Sequence, residues 1–181
     1  MNDKAEKVYA DAFFTLCLEE TPDTLKNTLG ELSALDGIFR EQPDFVKLLG
    51  TPTVTMDEKL GMIKDIIADG VSEYTGNLLC VLTERGRMGC FSGIVKNFRA
   101  LYNEHFRIAE ITVTASAPLS ESVREKIAAK MSEVTGKTVS IKEKVDPSII
   151  GGVVIDYGST RYDGSVRTRL NELKKELGGV I

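Results

Sequence analysis

No stretch of the sequence stays apolar for the roughly 18 residues that a membrane-spanning helix needs, and the longest run, around Leu78 to Leu82, is interrupted on both sides. Direct insertion into a bilayer is therefore not expected. The N-terminus opens Met1-Asn2-Asp3-Lys4 and passes into acidic, amphipathic sequence without the apolar centre of a secretory signal. A cytoplasmic chain is expected. Histidine occurs once, at His105, with no cysteine or paired carboxylates at ligand spacing, so the pattern offers no metal site. Cys17, Cys80 and Cys90 are odd in number, lie among apolar residues and form no close pair, which reads as reduced core thiols. Neither the GxSxG elbow nor a GxGxxG or GxxxxGK[ST] phosphate cradle occurs. No nucleophile and no cofactor is indicated, and an enzyme is not expected.

What is present is an ordinary globular balance, 42% hydrophobic and 28% charged residues, enough to fold. The charge is divided unevenly. Residues 1 to 105 hold 17 acidic and 11 basic side chains, and residues 106 to 181 hold 10 acidic and 12 basic. Neither part has the concentrated positive face of a nucleic-acid binder.

The first hundred residues read as six short helices. Val8, Ala12 and Leu16, flanked by Tyr9 and Phe13, lay an apolar stripe along a helix ending near Glu20. Thr21 caps a second helix with Pro22 in its first turn, and Leu25, Leu29, Leu32 and Leu35 carry its stripe towards Phe39. Gln42 to Leu49 forms a short third helix, stopped by Gly50 and Pro52. Thr55 and Glu58 have capping-box spacing before Leu60, Ile63, Ile66 and Ile67. Ser72 opens a fifth helix that carries Leu78, Leu79, Val81 and Leu82 to a stop at Gly86, and a sixth bears Phe91, Ile94, Val95, Phe98, Leu101 and Tyr102. Short helices joined by short connections imply a bundle.

Near residue 108 the period changes from helical to twofold. Ile111, Val113 and Ala115 alternate with polar residues as in a half-buried strand. A helix follows with Val123, Ile127, Met131 and Val134 inward, then strands over Val139 to Val145 and Val153 to Tyr157. Asp163-Gly164-Ser165 starts a last helix, on which Val166, Leu170, Leu173 and Leu177 fall at offsets 0, 4, 7 and 11. The expected architecture is a helical domain over residues 1–106 and a small β-α-β-β-α domain over 107–181 whose helices cover its sheet. The order of elements and Ile149-Ile150-Gly151-Gly152 also invite comparison with a KH module. The glycines are adjacent, however, and lack the GxxG spacing of a KH loop.

The segment from Val145-Asp146-Pro147-Ser148-Ile149-Ile150-Gly151-Gly152 to Ile155, followed by Asp163-Gly164-Ser165-Val166-Arg167-Thr168-Arg169-Leu170, resembles the C-terminal signature of the F-type ATP synthase delta subunit family. The mitochondrial oligomycin-sensitivity conferral protein is part of that family. The likeness extends to Tyr9-Ala10-Asp11-Ala12-Phe13-Phe14, to Lys59 after Thr51-Pro52 and to Glu84-Arg85-Gly86-Arg87. Val8 departs from it, standing where the family often has a basic residue.

The resemblance implies a non-catalytic stator subunit without a cofactor, a monomer within a larger complex at the cytoplasmic face of the cell membrane. Its N-terminal six-helix bundle would receive the N-terminal helix of an alpha subunit of the catalytic head. Its C-terminal domain would meet b-type subunits of the peripheral stalk. Helix-in-groove docking between the first and fifth helices makes Tyr9, Phe13, Leu78, Leu82 and Arg85 candidates for the head contact, with bundle core as the alternative role of each aliphatic residue. Gly151 and Gly152 give a tight path into a strand, and Asp163, Gly164 and Ser165 turn and cap the last helix. Arg167, Arg169, Lys174 and Lys175 are candidates for an acidic stalk segment, the alternative being a solvated helical face.

Overall fold

The computed structural model describes residues 3–51, 54–68 and 70–178, with the backbone alone at 22, 65–68 and 176–178. The expectations for Pro52 and for the side chains of Ile66, Ile67 and Leu177 lie outside the described residues. The chain divides into two compact units, residues 1–102 and 103–181.

The first unit is helical: α1 Asp3–Leu18, α2 Pro22–Glu41, α3 Pro43–Gly50, α4 Met56–Ala68, α5 Glu73–Glu84 and α6 Phe91–His105. The starts are local chemistry. The Thr21 hydroxyl accepts from the Thr24 amide at 3.3 Å, with Pro22 in the first turn. At α4 the Thr55 amide donates to Glu58 Oε2 at 3.0 Å and the Glu58 amide to Thr55 Oγ1 at 3.4 Å, a reciprocal capping box. The Thr55 hydroxyl also donates to Glu58 Oε2 at 2.8 Å, and this bond, followed by the one from the Thr55 amide, holds the Glu58 carboxyl below the usual carboxylate range. Ser72 accepts from the Thr75 amide to open α5. A single 3-10 turn, Met88–Cys90, leads into α6 and has no counterpart in the sequence reading.

Phe98 on α6 meets Phe13 and Phe14 of α1 at ring-centroid distances of 5.5 and 5.6 Å, and Phe91 meets Phe39 of α2 at 5.1 Å. Leu25, Leu32, Ile63, Leu79, Leu82 and Ile94 are fully buried in the same unit. The buried side of α1 is Ala10, Phe13, Phe14 and Cys17. The stripe expected to bury this helix is therefore corrected: Val8 is 59% and Leu16 46% exposed. Two apolar stripes run along α1, and the aromatic one wins the core because it buries more surface.

The second unit contains a four-stranded mixed sheet in the order β2-β1-β3-β4, from β1 Ile108–Ala115, β2 Thr138–Val145, β3 Val153–Tyr157 and β4 Thr160–Asp163. β1 and β2 are parallel and joined through α7, Glu121–Thr135, while β3 pairs antiparallel with both β1 and β4. Ile111, Val113 and Met131 form the buried centre, with Ile127, Val139, Ile141, Val153 and Ile155 packed around it. Val123 and Val134, expected to face inward on α7, are 38% and 59% exposed. Met131 sets the buried side, and Arg124 on the same helix pairs with Glu143 of β2 at 2.9 Å.

Two further expectations are corrected in this unit. Residues 160–163 form a fourth strand that the sequence reading lacks, so Asp163 ends a hairpin before its side chain joins the start of the last helix. The last helix, α8 Val166–Gly178, does not cover the sheet: Val166, Leu170 and Leu173 are 40%, 52% and 54% exposed.

Candidate functional site

Apolar surfaces remain open in both units after each has closed its own core. The first is a groove of about 390 Å³ between α1 and α5, lined by Tyr9, Ala12, Phe13 and Leu16 on one side and by Tyr74, Asn77, Leu78 and Val81 on the other. Each helix contributes residues at offsets 0, 3, 4 and 7, which is one side of a helix. Phe13 and Leu78 are nearly buried and form the floor, while Leu16 and Val81 are exposed along the rims.

Both tyrosines are tied at their hydroxyls. Arg87, in the turn after α5, donates from Nη1 to Tyr9 Oη at 3.1 Å, and its guanidinium carbon stands 5.5 Å from the centre of the Tyr9 ring. That turn is held by Gly86 at φ 62° and by the Arg87 amide donating to the Leu82 carbonyl at 2.7 Å. At the other end Tyr74 donates to the Glu20 carboxylate, and this bond pushes the phenol pKa up. A rigid aromatic body with a fixed polar tip suits a helix-binding surface.

The expected head-contact residues separate accordingly. Tyr9, Phe13 and Leu78 line the groove. Leu82 does not: it is fully buried, because one residue beyond Val81 turns the side chain about 100° into the core. Arg85 is exposed at the C-cap of α5, one turn beyond Val81 and outside the lining. Leu16, Tyr74, Asn77 and Val81 were missed, although the repeated 0, 3, 4, 7 spacing in both helices was available to find them.

A second depression of about 450 Å³ lies over α2 and α3, with Leu35, Ile38, Phe39 and Phe45 in its walls. The carboxylate on its edge, Glu31, is committed to Ser72 and Thr75, whose hydroxyls donate to Oε2 at 2.6 Å each.

In the second unit an open apolar surface is the outer side of α8. Ser165 is 3% exposed and caps this helix, its Oγ accepting from the Thr168 amide at 3.2 Å. Asp163 Oδ1 accepts from the Ser165 amide at 2.9 Å, and Oδ2 accepts from the Thr168 hydroxyl at 2.9 Å. These bonds hold the Asp163 carboxyl below the usual carboxylate range. The cap is locked onto the preceding signature segment: the Gly164 amide donates to the Val153 carbonyl at 3.0 Å and the Val166 amide to the Gly151 carbonyl at 2.9 Å. At Gly152 this backbone contact leaves no room for a side chain, and a β-carbon on Gly164 would stand a tight 3.2 Å from the Val153 oxygen.

Beside the cap, Ile150 is 63% exposed at φ 68° and ψ −42°, a backbone conformation that a β-branched residue rarely adopts. Ile150, Val166, Leu170 and Leu173 thus leave an apolar stripe open along the start of α8. At helical spacing Arg167 and Lys174 fall on one flank of the stripe and Arg169 on the other. Arg167 also reaches the Ser148 carbonyl at 3.5 Å.

Among the described residues, no group of three or more histidine, cysteine or acidic side chains is placed to hold a metal. Among them, too, no helix is long and apolar enough to cross a membrane. His105 packs edge-on against Phe106 at 4.9 Å.

A family model described as the ATP synthase delta (OSCP) subunit matches residues 5–177. The chain is 34% identical over 173 residues to the chloroplastic ATP synthase subunit delta of Emiliania huxleyi, covering 95% of each chain. It is also 34% identical to the ATP synthase subunit delta of Anaeromyxobacter sp. strain Fw109-5, covering 93% of this chain and 94% of that one. The mitochondrial ATP synthase subunit O of Ipomoea batatas is 32% identical over 93% of this chain and 70% of its own. A chain in the cryo-EM structure of the Toxoplasma gondii mitochondrial ATP synthase hexamer shares the fold, with a TM-score of 0.70 over 95% of this chain and 96% of that one at 22% identity. Since the family model spans almost the whole chain and full-length relatives share a third of its residues, the chain belongs to the ATP synthase delta (OSCP) family and is a non-catalytic subunit, not an enzyme by itself.

Proposed function

We propose that the chain fastens the catalytic head of an F-type ATP synthase to its peripheral stalk, so that the head resists rotor torque during proton-driven ATP synthesis. The observation that carries this reading is that each of the two compact units leaves apolar surface open against which a helix can dock: the α1–α5 groove in the first, the α8 stripe in the second. A two-ended tether needs a separate, slowly released contact at each end, and buried apolar anchors set such residence times.

At the head end, residues 1–106 receive the amphipathic N-terminal helix of an alpha subunit in the α1–α5 groove. Tyr9, Phe13, Leu16, Leu78 and Val81 are its anchors, and Arg85 acts at the groove's end. At the stalk end, the domain over 107–181 lays α8 against the end of a b-type subunit. Leu170 and Leu173 meet that partner's apolar side, and Arg167, Arg169 and Lys174 on the flanks face its acidic residues, while Lys175 falls on the opposite side of the helix. The chain acts as a single copy at the cytoplasmic face of the membrane, held there by its partners.

Calorimetric titration of the full chain with a synthetic peptide of the alpha-subunit N-terminus from the same organism tests the head contact. Saturable binding that a charge-matched scrambled peptide lacks, and that Leu16→Asp abolishes while helicity is kept, is the expected result. Equal binding of the scrambled peptide, or undiminished binding by Leu16→Asp, would remove the groove from the account.

A further inference from the structure

We propose that the α1–α5 groove fixes the direction of the helix it holds: the helix lies with a basic N-terminal end at Glu19 and Glu20 and an acidic C-terminal end at Arg85 and Arg87. The inference rests on the groove being a helix-docking site and adds its polarity.

The argument begins with the direction of the two walls. Tyr9, in the first half of α1, is bonded to Arg87 just after α5 ends, and Glu20, just after α1 ends, accepts from Tyr74 at the start of α5. The walls are therefore antiparallel, and their own dipoles oppose each other along the groove. What remains is side-chain charge. On α1 the groove-facing series Tyr9, Phe13 and Leu16 runs to the helix end at Leu18, with Glu19 and Glu20 in the turn directly after it; on α5 the series Tyr74, Leu78 and Val81 continues at the next four-residue step to Arg85 at the C-cap. An acidic end and a basic end thus face each other across an apolar floor. Glu19 and Glu20 are exposed at one, Arg85 and Arg87 at the other.

Glu73, at the start of α5, acts on Tyr74 and adds to the acidic end, while two other carboxylates turn elsewhere. Glu6 lies over Gly93 on α6, and Glu84 acts on Cys80 beside Lys64, which places it towards α4. An incoming helix presents its own positive dipole end at its N-terminus, so dipole and side-chain charge both favour the N-terminus at Glu20. The bound helix then runs parallel to α5 and antiparallel to α1. The matching partner is an amphipathic helix with lysine or arginine in its first turn and aspartate or glutamate in its last.

Two synthetic 18-residue peptides with one leucine stripe separate the possibilities, the first with lysines in its first turn and glutamates in its last, the second with these charges exchanged. The second is the better helix in isolation, so tighter binding of the first cannot come from helicity. The expected result is about tenfold tighter binding of the first at low salt, narrowing in 0.5 M salt on the order of what surface charge pairs contribute. A nitroxide on its N-terminus broadens the amide signals of Tyr74 and Glu20 and spares those of Tyr9 and Arg87. The variant Glu19→Arg, Glu20→Arg, Arg85→Glu, Arg87→Glu, with helicity checked, reverses the preference. Equal affinities, or broadening at both ends alike, would overturn the directional reading. If the alpha-subunit peptide still binds in that case, the head contact stands without it; if no peptide binds, both fall.

Discussion

Gly152 and Gly164 are in backbone contact: at φ 76°, Gly152 passes so close to the Gly164 carbonyl that a β-carbon there would collide with its oxygen. This contact joins the signature segment before β3 to the cap of α8. Gly152→Ala should therefore destabilise the second unit by about 2 kcal/mol or more, from positive φ and collision together. Gly151→Ala, whose β-carbon would meet only the Val166 Cγ2 methyl at 3.3 Å, should cost less. Urea denaturation of both variants decides this. An equal loss would mean that the Gly152–Gly164 contact is not what holds the cap.

Removing the cap itself has a smaller expected effect. Ser165→Ala should cost about 1 kcal/mol, leaving the Thr168 amide without its side-chain acceptor. An unchanged melting temperature would count against the cap.

The same network gives a pH dependence with a definite sign. Asp163 has a folded-state pKa below its unfolded value, so its contribution is fully present above the unfolded pKa and is lost as pH falls through the folded one. Asp146, Asp156 and Glu58 are lowered too, each first by a hydrogen bond, from Ser148, Arg161 and Thr55 respectively. Stability should therefore decline as pH falls through the acidic carboxylate range. Asp163→Asn keeps an acceptor for the Ser165 amide but cannot titrate, so its decline should be shallower. Identical slopes for the two proteins would exclude Asp163 from the effect.

Ile150 separates folding from binding. In Ile150→Gly the strain of positive φ is relieved while the unfolded chain gains freedom, and these opposed effects of about 1 kcal/mol leave stability nearly unchanged. Loss of a 63% exposed anchor should nevertheless weaken the stalk contact, read as a faster dissociation rate from a b-subunit fragment. A large drop in melting temperature would show instead that Ile150 serves the fold.

Groove and core on α5 are told apart by two neighbours. Val81→Ser, at an exposed rim position, should lower affinity for the alpha-subunit peptide with little change in stability. Leu82→Ala should cost roughly 2–5 kcal/mol of stability, as removal of a fully buried leucine does. Circular dichroism melts and peptide titrations of the pair would show the reverse pattern if the assignments were exchanged.

Much of the helical unit was legible because its starts are written locally. Thr21-Pro22, Thr55 with Glu58, and Ser72 each combine a side-chain acceptor with the spacing that satisfies a first-turn amide. Which stripe of α1 faces inward was not legible, since Val8, Ala12 and Leu16 repeat as regularly as Ala10, Phe13, Phe14 and Cys17. Only the aromatic partner Phe98, far away in sequence on α6, decides it. Strand β4 escaped notice because Thr160-Arg161-Tyr162-Asp163 is an exposed edge without apolar alternation. Gly158-Ser159 between the paired residues Tyr157 and Thr160 is nevertheless a two-residue hairpin signal. The α8 stripe was read correctly as apolar and wrongly as buried. Periodicity reports that a side needs covering, not whether the cover comes from the same chain.

The central claim is that one chain bridges two partners through two units. Sedimentation of an isolated alpha/beta head with a soluble b-subunit fragment, with and without this chain, tests it most directly. The account predicts that head and stalk fragment co-sediment only when the chain is present. It further predicts that Leu170→Asp with Leu173→Asp leaves the chain on the head and frees the stalk fragment. Co-sedimentation without the chain, or an undiminished bridge by that variant, would contradict it.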